Sequence, residues 1–496
     1  MNAMNELWDY FNEIMRLNYI RGLLNWDQQV YMPKGSIIGR AEQLALMQKL
    51  IHTRIKSHKT GELINNAEKV KNLSETDLAM IREAKREYEQ AIKIPDKLIT
   101  EITKTASLGY IEWEKARKKS DFSIFKPYLE KIIELRKEFA ERLDTGPTLY
   151  STLIDLYEPG ATYDWISKIF NILKSKLVKI INKLDNSHDK PNQSILKKYY
   201  NPEKQWQLSF EIVKKLNFDF NIGRQDKSTH PFTTSLSSID NRITTRIQDN
   251  FLPDCIFSTI HECGHGLYQM GFKKEIHDTF LADGCSLGIH ESQSRMWENI
   301  VGRSKEFWIY WFPIFQKAFP ENLKSCSIEE FHRAINVVQP SFIRVDADEV
   351  TYGLHIILRF ELEKIIIEDN IHASELPELW NSKMEDLLGI IPPNDAKGIL
   401  QDVHWTGGFG YFPTYALGNL YGAQIYHKAL EENPSLPKDY AKGEYSNLLN
   451  YLKQNVHQYG KIYRASDLIK KITGEDLNPD YFVKYVEDKY YPIYGF

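Results

Sequence analysis

The stretch FSTIHECGHGLYQMG, residues 257–271, carries the strongest chemical signal in the chain. His261 and His265 stand four residues apart, so on a helix both imidazole rings lie on one face. Two imidazole nitrogens at that spacing can bind one Zn²⁺ ion. Glu262, between them, would lie beside the metal and accept a proton from water. The spacing therefore predicts a zinc site with Glu262 as general base.

A catalytic zinc needs a third protein ligand and an open fourth position. Tyr268 stands where the zinc-binding pattern with a third histidine has glycine, so a carboxylate ligand is favoured. Glu291, in GIHESQSRMWEN and 26 residues beyond His265, is the predicted ligand. The alternatives are Glu298, seven residues later on a similar helical face, and Asp283 in ADGCS.

Helical periodicity dominates the elements that must position these residues and predicts a mostly α-helical fold. The segment from Phe125 to Leu143 places its apolar residues near one face, and the N-terminus is typical of an amphipathic first helix. The stretch from Phe232 to Ile247, just before the metal motif, predicts a short hairpin or small sheet because it is rich in Ser, Thr and Ile with partial alternation. Turn-forming residues predict loops at 156–162, 186–193, 389–398 and 433–443.

The chain has no Gly/Ser-rich, Pro-rich or single-charge block that would divide its 496 residues. We therefore expect one domain spanning 1–496, with a large core that needs no metal or disulfide for stability. Within this domain, residues 1–150 are predicted to form a helical lid or wall. Residues 225–420 are predicted to form the core of the metal and substrate site.

Charge and cysteine usage exclude several classes of partner. Lys and Arg number 63 against 67 Asp and Glu, and they are interspersed, so a nucleic-acid partner is not expected. The four cysteines show no paired metal spacing and are too few for a secreted disulfide framework, which favours a reducing, cytoplasmic location. The longest strongly apolar run, Phe307 to Phe315, is far shorter than the roughly 20 residues that span a bilayer. No signal peptide or membrane passage is expected.

Seven separate strings carry a family resemblance: NWDQQVYMPKGSIIGRAEQ from Asn25, HPF at 230–232, DNRIT at 240–244, HECGH, HESQ at 290–293, IRVDAD at 343–348 and GILQDVHW at 398–405. In order and spacing they resemble the carboxypeptidase Taq family of thermostable zinc metallocarboxypeptidases, over nearly the whole chain. The resemblance implies a large, mostly helical metallopeptidase fold with a deep active-site groove. It also implies a homodimer that removes single C-terminal amino acids from peptides with broad specificity.

An enzyme acting at a peptide C-terminus must bind a free carboxylate, which requires a positioned cation. Arg344 in IRVDAD is the predicted anchor, because a guanidinium binds a carboxylate through two parallel hydrogen bonds. The alternative is that Arg344 only pairs with Asp346 or Asp348. Arg242 is a further candidate for the lining of the groove.

The remaining candidates follow mainly from the resemblance, which implies a substrate-binding role for His230 in HPF. TGGFGYFPTYALG, residues 406–418, presents phenols from a glycine-rich loop. Either Tyr411 or Tyr415 is expected to donate a hydrogen bond to the oxyanion of the reaction. Asp402, in the segment before this loop, is interpreted as structural and helical, with an orienting role as the alternative.

These residues imply one Zn²⁺ per subunit, with Co²⁺ as a possible substitute. An oligoendopeptidase or a dipeptidyl carboxypeptidase would share the metal ligands but need a different carboxylate anchor or none. A catalytically silent peptide-binding scaffold is the other alternative. The presence of Glu262 argues against it, since a binding protein has no use for the general base.

Overall fold

The computed structural model describes residues 2–369 and 371–496, and most of them lie in α-helices. The first half of this described chain contains α1 Ala3–Val30, α2 Ile37–Ile55, α3 His58–Ala67, α4 Glu75–Lys93, α5 Asp96–Lys119, α6 Lys126–Leu143, α7 Leu149–Asp155, α8 Tyr163–Asp185 and α9 Pro202–Lys215. The second half contains α10 Leu252–Gln269, α11 Leu287–Arg295, α12 Lys305–Ala318, α13 Pro320–Leu323, α14 Ile328–Ala334, α15 Tyr352–Glu368, α16 Leu376–Leu388, α17 Pro413–Glu432, α18 Leu436–Tyr440, α19 Ser446–Asn455, α20 Ala465–Thr473 and α21 Asp480–Ile493. The prediction of a mostly helical protein is confirmed.

A three-stranded sheet stands between α9 and α10. Its strands are β1 Gly223–Lys227, β2 Thr233–Ser237 and β3 Asp240–Thr245, in the order β1-β3-β2. β2 and β3 form an antiparallel hairpin, which confirms the strand prediction for this stretch, and β1 pairs parallel to β3. The sheet packs against α10 through β3, so it lies directly beside the metal motif.

Helix α10 is buried on almost every side, which is typical of a helix at the centre of a large core. It packs on α11, and α11 packs in turn on α17. Glycines permit both close approaches: a methyl group at Gly264 would lie 2.7 Å from Ser294 Cα, and one at Gly418 would lie 2.6 Å from Glu291 Cγ. The three helices therefore fix the backbone positions of the metal motif and of Glu291.

The N-terminal helices contribute residues to the main hydrophobic core, whose members range from Met4 to Tyr494. A second, small cluster forms around α5 and α6 from Ile94, Leu98, Ile102, Leu135 and Leu143. α1 packs against β2, where a methyl group at Gly22 would lie 3.3 Å from Leu236 Cδ2. This contact puts α1 on the sheet next to the site, while the predicted lid or wall role of residues 1–150 remains a prediction. Within the described residues, none of the helices combines the length and apolarity of a membrane span.

Two predictions about local structure were wrong. The segment 433–443 is not only a loop, because it contains the short helix α18. Asp402 does not lie in an α-helix: the chain forms bends there and then a 3₁₀ turn, His404–Thr406. Turn-forming residues stand in both segments, and they do not specify whether a single helical turn forms between them.

Candidate active site

The two histidines of α10 and the carboxylate of α11 converge on one point. His261 Nε2 lies 3.6 Å and His265 Nε2 3.5 Å from the same oxygen, Glu291 Oε2. The imidazole rings are nearly perpendicular, at 86°, with centroids 4.9 Å apart. The potential ligand atoms of these three residues all lie within 4.8 Å of one another. The four-residue spacing on one helix thus brings both rings close to Glu291.

This donor set fits a divalent zinc-type ion. Ligand atoms on a tetrahedron with bonds of roughly 2.1 Å are about 3.4 Å apart. The observed separations of 3.5 and 3.6 Å are close to that value. The two alternative ligands face elsewhere: Glu298 contacts the far nitrogen of His261, and Asp283 pairs with Lys461 at 2.9 Å.

A second carboxylate holds the His261 ring from its other side. Glu298 Oε2 lies 2.9 Å from His261 Nδ1. α11 continues into a π-helical turn, Met296–Val301, and this turn carries Glu298. Burial works against ionisation of Glu298, but its hydrogen bond to His261 and the charge of Arg295 lower its pKa to about 2. A charged Glu298 therefore keeps Nδ1 of His261 protonated and leaves Nε2 free to bind a metal.

His265 has a different partner on its far nitrogen. His290 Nδ1 lies 2.6 Å from His265 Nδ1, and Gln269 Nε2 lies 2.9 Å from His290 Nε2. Burial and the neighbouring His265 lower the pKa of His290 to about 3, so His290 is neutral. His290 thus contacts His265 through Nδ1 and Gln269 through Nε2, and these contacts fix the His265 ring with its Nε2 toward Glu291.

Glu291 is held as a charged carboxylate. Arg295, one helical turn later, donates from Nε to Glu291 Oε1 at 2.7 Å, and the Ser294 hydroxyl donates to Oε2 at 3.1 Å. Burial opposes the charge, but Arg295 and the two histidines keep the pKa of Glu291 well below its ordinary value. A ligand carboxylate is therefore ready at neutral pH.

Glu262 lies on the same helix and faces the sheet. The Thr233 hydroxyl on β2 donates to Glu262 Oε2 at 2.6 Å. Only 7% of Glu262 is exposed, and this burial raises the pKa of its carboxyl group. A carboxylate with a raised pKa accepts a proton more readily, which is the property that a general base needs.

A second part of the candidate site is built around Arg344, which is 5% exposed. Its Nε and Nη2 donate to Asp402 Oδ1 at 3.1 and 2.8 Å, and its Nη1 donates to the Tyr352 hydroxyl at 3.1 Å. Neither Asp346 nor Asp348 is its partner in these contacts. Asp348 instead accepts hydrogen bonds from backbone N–H groups, including that of Thr351 at 3.0 Å.

A second buried arginine shares the same carboxylate. Arg359 Nε donates to Asp402 Oδ2 at 2.5 Å. Two guanidinium groups around one carboxylate leave a surplus positive charge in a buried place. The Arg344 and Arg359 charges hold the pKa of Asp402 far below its usual range against the effect of burial. This surplus is suited to a further anion, such as the carboxylate of a ligand.

Tyr352 connects the arginine cluster with the metal ligands. Its hydroxyl accepts from Arg344, and its ring lies 4.7 Å from Arg295 Cζ, whose Nε holds Glu291. The Tyr415 ring lies 5.3 Å from Arg344 Cζ, and the Tyr411 and Tyr415 rings are 5.2 Å apart. Both phenols predicted from the glycine-rich loop therefore lie in this region.

His230 and Arg242 lie outside these contacts. His230 is exposed, and its carbonyl oxygen accepts a hydrogen bond from Ser228 Oγ at 2.6 Å. Arg242 on β3 donates to Asp240 at 2.9 and 2.8 Å, and its Cζ lies 4.2 Å from the centre of the Trp26 ring on α1. Their predicted substrate contacts remain predictions.

Sequence reasoning missed six residues that shape the site: Thr233, His290 as a partner of His265, Arg295, Glu298 as a partner of His261, Tyr352 and Arg359. Arg295 could have been found, because it stands four residues after Glu291 and neighbours it on a helix. Thr233 and Tyr352 reach the site from distant elements, and no local spacing marks them.

One family of known proteins matches nearly the whole chain. The family model described as carboxypeptidase Taq (M32) metallopeptidase matches residues 6–490. This chain belongs to that family.

Its relatives match along their full length. The chain is 41% identical to carboxypeptidase 1 of Bacillus subtilis, covering 99% of this chain and 98% of the relative. It is 39% identical to thermostable carboxypeptidase 1 of Thermus thermophilus, covering 99% of each. The crystal structure of the M32 carboxypeptidase from Deinococcus radiodurans R1 superposes with a TM-score of 0.97 at 35% identity and covers 100% of both chains.

Proposed function

We propose that this protein is a metallocarboxypeptidase that releases single amino acids, with broad specificity, from the C-terminus of peptides. One observation carries the proposal: a His-His-Glu donor set and a buried arginine pair are joined through Tyr352. The first fits a catalytic metal, and the second fits the terminal carboxylate of a substrate. Membership of the M32 family and the names of its relatives support the same activity.

His261, His265 and Glu291 would hold the metal, with Glu298 and His290 fixing the two rings. A bound divalent metal supplies acidification of water and polarisation of the scissile carbonyl group. Two imidazoles and a carboxylate suit Zn²⁺, and Co²⁺ can occupy the same kind of site. We propose one such ion per subunit.

Glu262 would act as general base and then as general acid. Its carboxylate takes a proton from the attacking water and delivers that proton to the nitrogen of the leaving amine. The hydrogen bond from Thr233 holds one oxygen, Oε2, and so fixes the direction in which the carboxylate faces. Its raised pKa makes the first of these transfers easier.

Arg344 would select the terminal bond by binding the substrate carboxylate. Its contacts with Asp402 and Tyr352 engage one hydrogen on each guanidinium nitrogen, so each terminal nitrogen keeps a second N–H for a ligand. Asp402 thus orients Arg344, while Arg359 prevents it from neutralising Arg344 fully. Tyr411 or Tyr415 would donate a hydrogen bond to the developing oxyanion.

The other expectations are part of the same proposal. His230, in the loop before β2, and Arg242, on β3, would line the substrate groove close to Thr233. We propose a homodimer with one active site per subunit, since the family resemblance implies it. We also propose a single catalytic domain, which the extent of the main core supports, and a cytoplasmic location, which the four buried unpaired cysteines support.

Product analysis of one unblocked peptide tests this function. Zinc-loaded protein should give a ladder of products, each shorter by one C-terminal residue, and chelator-treated protein should give none. Mass spectrometry identifies the products. Internal fragments or C-terminal dipeptides would contradict the proposal and favour an endopeptidase or a dipeptidyl carboxypeptidase. No cleavage by metal-loaded protein would favour a silent scaffold.

A further inference from the structure

A fully buried carboxylate on α15, Glu363, gathers segments that surround the candidate substrate site. Glu363 is 0% exposed. Its Oε2 accepts hydrogen bonds from the Gly410 backbone N–H at 2.8 Å and from the Tyr150 hydroxyl at 2.9 Å. Its Oε1 accepts from Trp405 Nε1 at 2.9 Å. The donors come from α7, from Trp405 just before the glycine-rich loop, and from Gly410 within that loop.

The three donors are uncharged, so the carboxylate is not held by an ion pair with them. A buried charge is costly in such surroundings, and burial raises the pKa of Glu363 to about 7. An apolar side chain of similar size would fill the same space at less cost. We therefore interpret the Glu363 carboxylate as the acceptor whose hydrogen bonds hold the glycine-rich loop in place.

The loop is held at several points next to Gly410. Gly410 has φ +91°, and a methyl group there would lie 2.5 Å from the backbone of Leu153 on α7. The Arg136 guanidinium donates to the Gly407 carbonyl oxygen. Tyr411 follows Gly410 directly, and its ring lies 5.1 Å from Tyr157. Because Tyr411 is the next residue, fixing the Gly410 backbone also fixes the backbone position from which the Tyr411 side chain extends.

One face of α15 contacts three parts of the candidate substrate site. Tyr352, Arg359 and Glu363 are spaced by seven and four residues, so they lie along the same side of the helix. Tyr352 contacts Arg344, Arg359 contacts Asp402, and Glu363 contacts Gly410. The single helix α15 thus sets the distance between Arg344 and the glycine-rich loop.

We propose that Glu363 is a positioning residue: it holds the Gly410 backbone and thereby places the Tyr411 phenol relative to Arg344 for the reaction. The proposal rests on the carboxypeptidase activity proposed above and deepens it, because it assigns Tyr411 rather than Tyr415 as the phenol that Glu363 serves. Glu363 itself acts only through the loop and does not touch the substrate.

The test is a double-mutant cycle between Glu363→Gln and Tyr411→Phe. Glutamine keeps the shape but turns one acceptor into a donor, so it cannot accept all three hydrogen bonds. We expect Glu363→Gln to lower kcat about 10- to 100-fold with a small change in KM. In the Tyr411→Phe background the same substitution should have little further effect. An equal loss in both backgrounds, or no loss in either, would overturn the proposal.

Hydrogen exchange at residues 406–412 gives a readout that does not need turnover. Exchange in this segment should rise in Glu363→Gln while exchange in α10 stays unchanged, and unchanged exchange at 406–412 overturns the proposal. If wild-type protein released no C-terminal residues, the proposed function would fail, whereas the exchange result would still decide the link between Glu363 and the loop.

Two further variants complete the design. Tyr150→Phe removes a single donor to Glu363 and should give a smaller loss of the same kind, so it decides the question if Glu363→Gln does not fold. Tyr200→Phe is the matched control, because Tyr200 is a buried tyrosine whose hydroxyl donates to the Ile195 carbonyl oxygen at 2.8 Å. It should leave both kcat and the exchange at 406–412 unchanged.

Discussion

Glu262 is the residue on which the chemistry depends most, because it alone can accept and return the proton in the proposed mechanism. Glu262→Gln should keep the shape of the side chain and remove its basicity. We expect kcat to fall roughly 10²- to 10⁴-fold, while metal content and the thermal unfolding temperature stay close to wild type. Steady-state kinetics and elemental analysis of the purified variant measure these effects.

Glu211→Gln provides the matched control, since Glu211 is an exposed glutamate on α9. It should retain wild-type turnover. If Glu262→Gln retained near-wild-type kcat with full metal content, Glu262 would not be the base.

Single residues differ in how far sequence could identify them. His261, Glu262 and His265 were predictable because one helical turn is enough to bring them together. Glu291 needed a choice among three acidic residues, and the structure groups it with the histidines because α10 and α11 pack closely at Gly264. Asp402 as the partner of Arg344 could not be predicted, since 58 residues separate the two.

At the scale of elements, the packing of α17 on α11 determines where Glu291 lies. A methyl group at Gly418 would lie 2.6 Å from Glu291 Cγ and 2.7 Å from its Cβ. Gly418→Ala should therefore push the two helices apart, lower the stability by about 1–3 kcal/mol and weaken metal binding. Thermal unfolding and zinc competition with a chromogenic chelator measure the two effects.

Gly39→Ala is the control for this substitution. Gly39 lies on α2, and a methyl group there has nothing within 4 Å, so the change should leave metal affinity unchanged. Wild-type metal affinity in Gly418→Ala would contradict the role assigned to this helix contact.

The start of α11 depends on another buried glutamate, Glu158. Glu158 Oε2 accepts from the Gly288 backbone N–H at 3.1 Å, and Oε1 accepts from the Tyr421 hydroxyl at 3.1 Å. Burial raises the pKa of Glu158 from its ordinary value of 4.5 to about 7. The folded protein then binds this proton more tightly than the unfolded chain. The resulting stabilisation is complete below about pH 4.5 and is lost as the pH rises through about 7.

Glu158→Gln should remove this pH dependence. Between pH 5 and pH 8 we expect wild-type protein to lose roughly 1–3 kcal/mol more stability than the variant. Urea unfolding at the two pH values measures the difference, and Glu211→Gln should behave like wild type. Parallel pH profiles for wild type and Glu158→Gln would show that Glu158 does not titrate in this way.

Elements were predictable where periodicity is strong and local. The apolar face of the segment from Phe125 indicated α6, and alternation indicated the β2–β3 hairpin. β1, with the sequence GRQDK, has no apolar alternation, because pairing with β3 and not burial of apolar residues defines it. The short helix α18 was missed because its Leu436 and Pro437 stand among turn-forming residues.

The main hydrophobic core has members from Met4 to Tyr494, so we expect the stability of the whole molecule to be largely independent of the metal. Without metal, Glu291 keeps its hydrogen bonds from Arg295 and Ser294. Chelation should therefore abolish turnover but leave the helical circular dichroism signal intact. Added zinc should restore activity and raise the unfolding temperature in a concentration-dependent manner. Unfolding upon chelation would show that the metal is needed for the fold.

In the proposed function, a free C-terminal carboxylate bound at Arg344 determines which bond is cut. The most direct measurement compares one peptide with its C-terminally amidated twin, each incubated with zinc-loaded protein and analysed by mass spectrometry. We expect stepwise loss of single residues from the free acid and little or no cleavage of the amide. Equal cleavage of both peptides, with internal cuts, would contradict it and remove Arg344 from the role of anchor.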